Sequence, residues 1–125
     1  MAIEVIAPAE DHPFGEVRYS GRVTDEQVGE SVARLVGIAT ETGVWNVLTD
    51  CQDMVWTPTL ADVSAAVDGI AQLVAPEYRE ALVLPADVSA RVSATHYATV
   101  AANRSLAVRA FSARDDAIAW LTSQP

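Results

Sequence analysis

Behind an opening pair of strand-like runs, this chain alternates short apolar runs with longer segments whose apolar residues recur every three to four positions. That alternation is the strongest constraint on the fold. Strands separated by helices enter one sheet as parallel neighbours, through right-handed crossovers. The runs are Val44–Thr49, Glu80–Leu84 and Leu106–Phe111. The first two are almost wholly apolar, as strands buried on both faces should be. The third alternates and includes Arg109.

The opening follows a different rule. Ile3–Ala7 is apolar and ends at Pro8. Glu16–Val23 alternates, with Val17, Tyr19 and Val23 on one side and Glu16, Arg18 and Arg22 on the other. A period of two predicts a half-exposed strand. The short loop between the two runs, with Pro13 and Gly15, predicts an antiparallel hairpin.

The helices carry their own punctuation. Thr24 followed by Gln27 is a capping box, the stripe Val28, Val32, Leu35, Val36 and Ala39 follows, and Gly43 is the stop. Asp50–Trp56 reads as a loop. Thr57-Pro58 then opens a helix striped with Leu60, Val63, Val67, Ile70 and Leu73. Asp87–Asn103 is a third helix, with Val88, Val92 and Val100 inward. Ser112 and Asp115 form a second capping box, opening a terminal helix that buries Ile118, Trp120 and Leu121.

The expected fold is therefore a single α/β domain over residues 1–125. It has a mixed, mostly parallel sheet of four to five strands, opened by an antiparallel hairpin and carrying four helices. Leu48, Val83, Val32, Val67 and Val92 should be nearly fully buried. The alternating strands should lie where the sheet is less covered, and the uniformly apolar ones at its centre.

Charge removes several functions. Seventeen acidic residues stand against eight basic ones, for a net charge of −9. Nucleic acid is repelled by such a field unless basic residues are clustered, and these are scattered from Arg18 to Arg114. All eight are arginine, so Schiff-base chemistry and a Walker lysine are excluded. A lone cysteine, Cys51, makes no internal disulfide and points to a reducing cytoplasm. Neither a signal peptide nor a membrane span is visible, and no cofactor is expected.

The element order and two local motifs resemble the SpoIIAA-like branch of the STAS superfamily. The motifs are Val47-Leu48-Thr49-Asp50 with Trp56-Thr57-Pro58, and the ending Ala117-Ile118-Ala119-Trp120-Leu121. Both are similar to those of small bacterial SpoIIAA-like proteins, some likened to CRAL-TRIO lipid-binding domains. The resemblance covers nearly the whole chain and implies helices gathered mainly on one side of the sheet. One departure matters. Anti-sigma-factor antagonists of this family are switched by a phosphorylated serine where the second helix begins. Here Thr57-Pro58-Thr59-Leu60 occupies that place, and the acceptor position is Pro58. The serine switch is therefore not expected, and regulation should act by occupancy.

The candidate site is the segment past the Val44–Thr49 strand, since open α/β sheets bind ligands beyond strand carboxyl ends. Asp50 and Asp53 could hold a hard cation or serve as acid and base, though an Asp-rich turn also satisfies loop backbone. Trp56 is placed for a partner contact or a hydrophobic staple, and Thr57 and Thr59 for capping or phosphorylation. His96 and Tyr97 could line a cavity or form a half-buried pair. No metal-ligand spacing appears, and Cys51 has no base near it in sequence. Gly29 and Gly37 lie inside a helical stripe, so there is no phosphate loop.

The leading expectation is a non-enzymatic, cytoplasmic regulatory or protein-interaction module. Its partner would be another protein or a second copy forming a homodimer. The alternative is a carrier of an apolar or lipid-like small molecule, with a small enzyme a distant third. A dry, filled interior would favour the module. An apolar pocket with a few convergent polar groups would favour the carrier.

Overall fold

The computed structural model of the chain describes residues 2–55 and 60–123. Its strands are β1 (Ala2–Ile6), β2 (Gly15–Arg22), β3 (Asn46–Val55), β4 (Arg79–Val83) and β5 (Ala107–Phe111). They lie side by side in chain order. β1 is antiparallel to β2, and each later pair is parallel. The helices are α1 (Asp25–Thr42), α2 (Leu60–Leu73), α3 (Val88–Asn103) and α4 (Arg114–Thr122). The architecture is the one the alternation predicts.

Sequential order has a consequence for layering. Each crossover moves the chain one strand onward in the same direction, so right-handedness puts α1, α2 and α3 on one face. α4 follows the last strand and escapes that rule. It covers the opposite face, where Ala117 and Leu121 pack on Phe14, Leu48, Ala81 and Val83. The larger core lies on the three-helix face, around Val17, Val47, Leu82, Val63, Val67 and Val100.

Local signals hold at the α1 ends. Thr24 Oγ1 accepts from the Gln27 amide at 3.2 Å, and the Gln27 side chain accepts from the Thr24 amide at 2.9 Å. Gly43 closes the helix at φ 76°, a left-handed conformation that glycine adopts without strain. At α3, Asp87 is the N-cap and accepts from the Ala90 amide at 2.9 Å.

Several expectations are corrected. Asp50–Val55 is not a loop: β3 runs on beside β2, with Ser20, Gly21 and Arg22 opposite Asp53, Met54 and Val55. The eight-residue β2 supplies a pairing edge beyond the point where β4 ends. β2 is not at a less covered position either; it lies between β1 and β3, and its Glu16 is buried. β5 does lie at an edge.

On α3 the buried face is Ala90, Ser93, Ala94, Tyr97, Val100 and Ala101, leaving Val88 77% and Val92 62% exposed. Small side chains seat that face close to the sheet, and valines spaced around an alanine-rich helix do not set its phase. Val32 is half-buried because it faces a pocket rather than packed atoms. No side chain caps α4, whose N-cap is Ala113. Ser112 accepts from the Arg91 guanidinium instead, at 3.1 Å. Ile118 and Trp120 are half-buried, and Leu121 alone of the three is fully so.

Candidate functional site

The two faces of the sheet hold two polar clusters of different kinds. On the α4 face Glu16 is fully buried. Arg114 spans it bidentately at 2.8 and 3.0 Å, and reaches Asp50 at 2.8 Å with the same nitrogen that takes the shorter contact. Arg18 adds a bond to Glu16 at 3.0 Å, and His12 Nε2 lies 3.0 Å from its other oxygen. The other Asp50 oxygen receives the Gln52 amide and side chain, at 3.1 and 3.2 Å.

Burial alone would push the Glu16 carboxyl up. The bonds from Arg114, His12 and Arg18 and the Arg114 charge outweigh it and lower the carboxyl to about 2. A carboxylate depressed by folding adds stability above its ordinary range and loses it as pH falls through the folded value. The chain should therefore weaken progressively between about pH 5 and pH 2. Urea titrations across that window measure it, and a flat profile would remove the arginine pairing from the account.

Asp50 is thereby committed to structure, and Asp53 is exposed on the same strand. The two carboxylates form no joint site. Among the described residues no group of three or more His, Cys, Asp or Glu side chains is placed to hold a metal ion. Trp56, Thr57 and Thr59 lie outside the described residues.

The other face holds a pocket of about 470 Å³ between α1, α2, the base of α3 and the sheet. The sequence builds it from small residues. Gly29 and Ala39 on α1, Ala65, Ala66 and Gly69 on α2, and Ala94 on α3 line it. A Cβ placed on Gly29 or Gly69 would meet nothing within 4 Å. Val28, Val32 and Val36 from α1 face Ile70 and Leu73 from α2, and Val17, Val47 and Leu82 from the sheet complete an apolar lining.

Among the described residues one carboxylate is buried in this lining. Glu80, on β4, is 4% exposed. Its Oε1 accepts from Tyr97 at 2.6 Å and Tyr78 at 2.7 Å, and its Oε2 from Thr49 at 2.7 Å. These partners come from β3, the turn before β4, and α3, so the carboxylate ties three elements together. Each hydroxyl–carboxylate bond is of the short, charge-assisted kind. Among the described residues no cation meets Glu80.

The surrounding hydroxyls are neutral donors. Burial first, then the Glu80 charge, pushes the Tyr78 and Tyr97 phenols well up. Tyr19, also in the lining, lies 2.5 Å from Ser31 Oγ, and burial raises its phenol too. Ser31 spends its own proton on the Val28 carbonyl at 2.7 Å. Cys51 is in the pocket wall, and burial, then Glu80 and Asp50, push its thiol up, away from the reactive thiolate.

Of the sequence candidates, Tyr97 does line the cavity, whereas His96 is half-buried outside the lining. Glu80 escaped the sequence reading because it begins an apolar run and passes for a strand end. Its partners Thr49 and Tyr97 lie 31 and 17 residues away, so no local spacing announces them. A lone acid at an interior strand position, flanked by Tyr78, was the available signal.

No protein-family model matches this chain, and no curated protein matches it either.

Proposed function

We propose that this chain is a non-enzymatic SpoIIAA-like domain that binds an apolar small molecule in the pocket between α1, α2 and the sheet. The observation that carries the reading is that pocket, apolar in its walls and polar at Glu80. A space of about 470 Å³ falls in the ordinary size range of ligand sites. Glu80 and the hydroxyls bonded to it would orient a ligand, while the apolar walls supply affinity. Regulation would then act by occupancy of the domain.

Native mass spectrometry of freshly purified protein tests this directly, because it reads retained ligand and oligomer mass together. A titration with the neutral fluorophore N-phenyl-1-naphthylamine gives the affinity. Gly29→Leu with Gly69→Leu should fill the pocket and weaken that probe at least about tenfold, equal to about 1.4 kcal/mol. Melting should hold or rise, since leucine is the better helix former by several tenths of a kcal/mol per site. Gly37→Leu, on α1 but outside the lining, is the control. Equal probe affinity in all three proteins would defeat the proposal.

The interaction-module reading keeps one supporting observation. Val88 and Val92, one turn apart on α3, are both exposed. If that strip meets a second copy or another protein, Val88→Asp with Val92→Asp should abolish the complex. An oligomer mass unchanged by the pair would end that reading for this strip.

A further inference from the structure

We infer that the ligand is an apolar organic cation, an amine-bearing molecule whose protonated nitrogen is received by Glu80. The inference rests on the pocket being a ligand site, and it names the chemistry of that ligand. A buried carboxylate is costly unless it is paired, and buried charges in proteins usually meet an opposite charge. Here the partners are three neutral hydroxyls, from Thr49, Tyr78 and Tyr97. They satisfy hydrogen bonds without cancelling charge.

A carboxylate offers about four acceptor directions. Two bonds fall on Oε1 and one on Oε2, which leaves one direction on Oε2 for a further donor. A protonated amine supplies both the missing donor and the missing charge. An alcohol supplies only the donor.

Three further observations exclude the opposite charge. Among the described residues no arginine or histidine lines the pocket, so a fatty acid or a phosphate headgroup would find no counter-charge there. It would face Glu80 instead. The chain carries −9, a field that concentrates cations and repels anions. Finally, Tyr19, Tyr78, Tyr97 and Trp45 line the pocket, and aromatic faces attract cations at short range.

Three ten-carbon probes test the inference on the full chain at pH 7: decylamine, decanol and decanoate. Each displaces N-phenyl-1-naphthylamine in competition. Decylamine should bind at least about tenfold tighter than decanol, and decanoate should be the weakest. Glu80→Gln, nearly isosteric, should remove that advantage and leave decanol within about twofold. Equal binding of decylamine and decanol would overturn the cation and leave the pocket standing, as would equal losses of both in Glu80→Gln. No displacement by any of the three, together with no binding of the fluorophore, would overturn the pocket itself. Should Glu80→Gln fail to fold, the order of the three probes on the unaltered chain still decides.

Discussion

Arg114→Ala is expected to destabilise the fold by about 3 kcal/mol at neutral pH, with the deficit shrinking in acid. Breaking a buried ion pair from one side costs about 3–5 kcal/mol, because the remaining charge is left without its partner. Glu16 is fully buried and would keep Arg18 and His12, and Arg114 itself is partly exposed, so the lower end applies. Arg114 also holds Asp50, and without it the two carboxylates lose their shared cation. In the intact chain the Glu16 contribution is present above the ordinary carboxylate range and lost as pH falls toward about 2. The variant has little of that contribution to lose. Its deficit should therefore narrow by about 1–2 kcal/mol between pH 7 and pH 3. Urea unfolding at both values reads the difference. A deficit that is the same at both would mean Arg114 acts through packing of α4 and not through charge.

Leu48→Ala should cost about 3–5 kcal/mol, within the span for deleting a fully buried leucine. Leu48 is 0% exposed near the start of β3, between Glu16 on β2 and Ala81 on β4. Its side chain belongs to the smaller core, with Phe14, Ala81, Val83, Ala117 and Leu121. A nine-residue helix is too short to hold itself in water, so α4 depends on this contact and on Arg114. Hydrogen exchange in Leu48→Ala should show α4 amides opening before those of the three-helix face. Val32→Ala is the contrast. Val32 is half-buried and lines the existing pocket, so its loss should cost only about 1 kcal/mol. Similar costs at the two positions would show that the pocket side is as tightly filled as the α4 side.

The sequence by itself determined the element order and, with it, most of the topology. Val44–Thr49 and Glu80–Leu84 read as buried strands from their largely apolar character, and the observed strands match both within two residues, save where β3 runs on. Thr24, Gln27 and Gly43 bounded α1 because caps are local chemistry, settled within four residues of the helix end. Handedness places the first three helices on one face once the strands are known to lie in chain order, and that order came from the structure.

Only the tertiary structure decided what those elements enclose. Whether Val92 or Ala94 faces inward is not a property of α3, whose apolar residues are spread around its circumference; the sheet beneath it chose. Glu16 read as a solvent-facing strand residue until α4 brought Arg114 to it across 98 positions. Glu80 became a buried, hydrogen-bonded carboxylate for the same reason, when Thr49, Tyr78 and Tyr97 converged on it beside a space bounded by small side chains. Periodicity reports which way one residue leans relative to its near neighbours. Charge pairs and cavities are relations between residues far apart in the chain, and they exist only once the layers are stacked.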